Sequence, residues 1–96
     1  MSTRAASASR RLAALRRRVD AVDRRIVRLL AARQRLVAAM PPFKTRLRDP
    51  GREADILRQA ARQAGRSRLD RAFVREVYRA LLGASRSFLR RGAGAD

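Results

Sequence analysis

The sequence predicts an all-α domain of three helices, the first much longer than the other two. Three observations carry this. Leu12, Leu15, Val19, Val22, Ile26, Leu29, Leu36 and Met40 recur in steps that fit alternating threes and fours, the spacing of a helix face packed against other helices. Two later stretches open on helix start signals, Asp49-Pro50 and Asp70, and continue with apolar residues at helical spacing. No segment alternates with the period of two that would mark a strand.

The first helix is expected from near Ser9 to about Met40, with Ser7 and Ser9 as candidate N-caps. Residues 1–8 read as a disordered basic tail without the apolar centre of a signal peptide, which points to a cytoplasmic protein. Pro41 and Pro42 stop the helix, because proline lacks an amide donor and clashes with the preceding turn. Thirty-odd residues make a rod of roughly 45 Å, against roughly 25 Å for a compact domain of this size. A rod with an apolar seam along its length needs a partner, and a homodimer of crossing or antiparallel long helices is the economical one.

The second helix follows "RDPGREADILRQAARQAG". Asp49 is its N-cap, Pro50 its first residue, and Gly65 its expected end. Ile56, Leu57, Ala60, Ala61 and Ala64 form a small, alanine-rich face suited to close helix approach. The third helix starts behind Asp70 and places Phe73, Val74, Val77, Tyr78, Leu81, Leu82, Ser85 and Phe88 or Leu89 on one side. The domain is thus expected over residues 9–91, with 92–96 a flexible tail.

Composition restricts the chemistry. The 96 residues contain no cysteine and no histidine, so neither a thiolate nucleophile nor an imidazole base or metal ligand is on offer. No apolar run reaches membrane-spanning length. The net charge of +17, from 25 basic and 8 acidic residues, favours an anionic partner. One class of reading is a small basic nucleic-acid-binding dimer. Only four residues are aromatic, three Phe and one Tyr, and the charges spread over all three helices, which weighs against it.

The seam has one anomaly. Its spacing continues through position 33, and that position is Arg33. A charge placed among leucines needs an anion opposite it. Glu53 or Glu76 could supply one internally, or the side chain could snorkel to water. The other option is a pocket in which Arg33 grips an anionic ligand with its planar fork of donors. Lys44, the sole lysine in an arginine-rich chain, and Asp49, Arg52 and Glu53 at the start of the second helix lean toward a pocket.

These residues fall in a familiar order. "LRRRVDAVDRRIVRLLAARQRLV", then "FK", "RDPGREADIL", "LD", "FV", "VY", "LL" and Ser85 resemble the all-α chorismate mutase family from about Leu12 to Ser85. The resemblance implies an intertwined homodimer of three-helix chains that rearranges chorismate, a dianion, to prephenate without cofactor or metal. It implies that Arg16 reaches across the dimer to a substrate carboxylate and that Arg33 binds a carboxylate within its own chain. Lys44 is implied to contact a carboxylate and the breaking ether oxygen. Asp49 and Glu53 match positions that hold the ring hydroxyl, Arg52 flanks the pocket, and Ser85 matches a contact to the ring carboxylate.

Two departures stand out. Relatives usually carry glutamine or glutamate on the third helix to share the ether oxygen with the lysine; the matching position here is Leu89, which has no donor. Arg86 or Arg90 could stand in for that donor if the end of the helix were rotated. Pro41-Pro42 and the short connection from Lys44 to Asp49 also alter the approach of the lysine. These departures leave open a weak mutase completed by an activating enzyme of the shikimate pathway, as in some arginine-rich relatives. They equally leave open a mutase of 4-amino-4-deoxychorismate or an isochorismate pyruvate lyase.

Overall fold

A computed structural model describes residues 3–40 and 49–95. They form three helices, α1 (Thr3–Ala38), α2 (Pro50–Arg66) and α3 (Arg71–Ala95), and no strand occurs among the described residues. The chain divides into two units, Met1–Ala39 and Met40–Asp96.

The first unit is α1, 36 residues and therefore about 54 Å long. It begins at Thr3, six residues before the expected start near Ser9, so the stretch expected as a disordered tail is helical from Thr3 on. The reason is local: Ala5, Ala6 and Ala8 are the strongest helix formers. Ser7 lies inside the helix, where its hydroxyl accepts a hydrogen bond from Arg10 (3.3 Å) and does not cap. The helix ends at Ala38, two residues short of Met40, and the amide of Ala39 closes the last turn onto the carbonyls of Arg35 and Leu36. Arg35 in that turn complements the negative end of the helix dipole.

No residue of α1 is buried. The seam side chains are in place as a row, and they are open: Leu12, Leu15, Val19, Val22, Ile26, Leu29, Leu36 and Met40 are 47–70% exposed. Pro41, Pro42, Phe43 and Lys44 lie outside the described residues.

The second unit is an antiparallel hairpin of α2 and α3. Asp49 caps α2 as expected: its carboxylate accepts from the Arg52 amide (3.1 Å), its carbonyl receives the Glu53 amide (2.9 Å), and Pro50 fills the first helical position. Asp70 opens α3 in the same way, through the amides of Ala72 (3.3 Å) and Val74 (3.1 Å). The end of α2 differs from expectation. Gly65 does not terminate it; the helix runs to Arg66, and the residue with positive φ is Arg68 (φ 55°). The Leu69 amide then reaches back to the Ala64 carbonyl (2.9 Å), the long-range bond of a Schellman-type end. The far end of α3 also outruns expectation, continuing to Ala95 through the segment read as a flexible tail. Gly92 in that segment has ordinary helical φ, so nothing there forces the backbone out of the helix.

Ala64, Val74 and Leu82 form the buried centre of the hairpin, and Ile56, Leu57, Ala60, Ala61, Tyr78, Leu81, Ser85, Phe88 and Leu89 are half-buried around it. Phe73 and Val77, expected on the buried side, are 54% and 45% exposed. One partner helix covers one row of α3, the row through Val74, Tyr78 and Leu82; the adjacent row through Phe73 and Val77 is left at its edge. A cleft of about 210 Å³ lies near the turn, lined by Ala60, Gln63, Ala64, Ser67, Leu69, Val74 and Tyr78.

Candidate active site

The hairpin register decides which sequence-predicted residues meet. Ala60 and Ala64 share a cleft with Tyr78 and Val74 near the turn. Two to three helical turns back toward the start of α2, at the opposite end of the hairpin, Glu53 faces Arg86. The Arg86 guanidinium donates to Oε2 of Glu53 at 2.5 Å, and the two side chains are 25% and 20% exposed. The start of α2 and the second half of α3 are thereby held together by charge. Asp49, Arg52 and Glu53 come from the first of these segments, and Ser85, Arg86 and Leu89 from the second.

Each of these residues has a definite environment. The Asp49 carboxylate caps α2, so one of its oxygens is committed to the Arg52 amide. Arg52 is exposed, and so is its neighbour Gly51. Glu53 is half-buried in the first turn, where exposed amides favour an anion. Ser85 is half-buried and not without a partner. Leu89 is half-buried one turn beyond Ser85, and its side chain brings only apolar surface to this end of the hairpin. Arg90, the other cation near it, is exposed and donates to the Ser87 hydroxyl (3.1 Å) along its own helix.

On α1, Arg33 sits in the seam row and is half-buried, with a partner of its own. Arg16 is exposed on the flank of that row, directly after Leu15. Lys44 lies outside the described residues. The sequence marks Arg86 only as a possible stand-in for the donor that Leu89 lacks; the structure gives it a carboxylate partner on the facing helix. No local signal separates Arg86 from the other arginines around it, since only the register between α2 and α3 brings it opposite Glu53.

Chemically, this end of the hairpin offers carboxylates that accept hydrogen bonds, a guanidinium with donors to spare, and a hydroxyl. It lacks any group with a strongly nucleophilic or imidazole-like character. Such a set suits binding and orienting a polar guest.

A protein-family model described as chorismate mutase type II matches residues 15–89. No curated protein and no solved structure matches the chain.

Proposed function

The chain belongs to the chorismate mutase type II family and is an isomerase of chorismate; from that premise we propose that it works by caging the dianion in its reactive shape with fixed positive charge. The domain that does this is residues 9–91.

The reaction breaks the ether C–O bond of chorismate and forms a C–C bond in one unimolecular step, giving prephenate for aromatic amino acid biosynthesis. No proton is transferred and no covalent intermediate forms, so a chain without histidine or cysteine is adequate. Two tasks remain for the protein. The flexible substrate must be held compact, so that the reacting carbons lie within contact distance. Negative charge growing on the ether oxygen must meet a cation already in place.

Arg33 and, from the other protomer, Arg16 bind the substrate carboxylates. Lys44 contacts a carboxylate and the ether oxygen. Glu53, with Asp49, accepts from the ring hydroxyl; Arg52 flanks the pocket; Ser85 meets the ring carboxylate; and Leu89 closes the pocket with apolar surface. The surplus of positive charge draws the dianion in.

A homodimer completes this arrangement. The support for it is the open apolar row of α1, where each side chain gains on the order of 1 kcal/mol or more from being covered. No helix among the described residues is long and apolar enough to cross a membrane, and we place the enzyme in the cytoplasm, where an intermediate of amino acid synthesis is at hand. An activating enzyme of the same pathway remains a proposed partner, supported by Leu89 standing where relatives carry a donor.

The observation that carries the reading is the run Arg16, Arg33, Lys44, Arg52 and Glu53, in family order inside the matched stretch. The test is to incubate the purified protein separately with chorismate, 4-amino-4-deoxychorismate and isochorismate and to identify the products. Prephenate from chorismate, with the other two unchanged, is expected. Chorismate left intact, alone and with the host's pathway enzymes added, overturns the reading.

A further inference from the structure

We propose that Arg86 is a positioning residue of the active site, holding Glu53 as an oriented carboxylate for the substrate's ring hydroxyl. The inference rests on the role given to Glu53 above. It starts from the geometry of the pair: Arg86 and Glu53 are joined at 2.5 Å between two helices, with both side chains mostly withdrawn from water. The neighbouring basic residues of the hairpin behave otherwise. Arg58 pairs with Asp55 along α2, and Arg90 bonds Ser87 along α3, both at exposed positions.

The backbone of Glu53 is fixed by the hydrogen bond its amide donates to the Asp49 carbonyl (2.9 Å), so the freedom left to it is in the side chain. A glutamate has three rotatable bonds, and a single bond to a guanidinium removes most of that freedom. Arg86 engages Oε2, which leaves Oε1 to accept from a hydroxyl. The side chain of Arg86 runs back over its own helix toward Gly83, where a built Cβ would lie 3.6 Å from Nη2. Arg86 is also flanked in sequence by Ser85 and lies one turn before Leu89, which places the pair beside the other residues assigned to the pocket.

The test compares Arg86→Met, Arg86→Lys, Glu53→Gln and the Arg86→Met/Glu53→Gln double variant on chorismate and on an analogue lacking the ring hydroxyl. Helicity and melting are recorded for each. Arg86→Met is expected to lower kcat/KM on chorismate by roughly 10–100-fold, the span for losing a hydrogen bond to a charged group. Arg86→Lys should recover part of that loss. The double variant should be no worse than Glu53→Gln alone, and the penalty should vanish on the hydroxyl-free analogue. A merely structural ion pair would slow both substrates alike. Where Arg86→Met does not fold, Arg86→Lys carries the same comparison between the two substrates.

Wild-type turnover by the Arg86 variants, a loss that persists on the analogue, or full additivity with Glu53→Gln overturns the proposal and leaves the mutase reading standing. A wild-type protein inert toward chorismate removes that reading first, and this inference with it.

Discussion

A guanidinium at position 33 interrupts a row that runs Val22, Ile26, Leu29 and resumes at Leu36. Arg33 is half-buried there and has a partner, and it brings to the row what an apolar residue could not, a planar fork of donors suited to a carboxylate. Arg33→Ala is expected to lower kcat/KM by on the order of 10²–10³ or more, the scale for losing one preorganised charge contact in a site. Helicity by circular dichroism should not fall, because alanine is the best helix former. Turnover that survives the substitution contradicts the assignment of Arg33 to the substrate carboxylate. Arg33 could be singled out in the sequence because it breaks a pattern. Arg86 could not, because "SRSFLRR" offers three arginines in no pattern that distinguishes them. Arg90 lies one turn on along the same side of α3; what separates Arg86 from it is which turn of α3 stands level with Glu53, and that is set by packing between helices.

The helix ends show the same division between local and distant causes. Asp49-Pro50 and Asp70 were readable as starts because a capping carboxylate acts on amides two or three residues away, and both do so here. Gly65 misled because glycine is the usual residue just past a helix, yet the left-handed position falls three residues later on Arg68 (φ 55°). Chain geometry at the turn chose that residue: the Leu69 amide has to reach the Ala64 carbonyl for the hairpin to close. A side chain other than glycine pays in steric strain at such a φ, roughly 1 kcal/mol. Arg68→Gly is therefore expected to stabilise the fold by up to about 1 kcal/mol, a rise of a few degrees in melting temperature for a domain of this size. Part of the gain is returned through the greater freedom of glycine in the unfolded chain. An unchanged or lower melting temperature, at fixed protein concentration, would mean that the Arg68 side chain contributes more than its backbone costs. Glu53 and the other α2 and α3 residues proposed for the site lie at the opposite end of the hairpin from position 68, so kcat should not move.

At the scale of the molecule, the open surfaces decide what one chain lacks. A 36-residue helix without a single buried residue keeps its apolar row in water, and the hairpin leaves Phe73 and Val77 uncovered as well. In the proposed dimer, a second copy covers these faces and supplies Arg16 to the site that holds Arg33 of the other chain. That arrangement has a consequence that a site made from one chain lacks. Arg16→Ala and Arg33→Ala proteins should each be inactive as pure homodimers. Unfolded together and refolded as an equal mixture, they form heterodimers in which one site has lost both arginines and the other has lost neither. Random pairing makes about half of the dimers mixed, with one intact site in two, so activity should return to about a quarter of wild type. The measurement is the turnover of chorismate by the mixture against each variant alone at the same total concentration. Recovery near that level requires Arg16 and Arg33 of one site to come from different chains. A mixture as inactive as its components would place both arginines of each site on the same chain, and the shared-site dimer would have to be abandoned even if the protein proves dimeric.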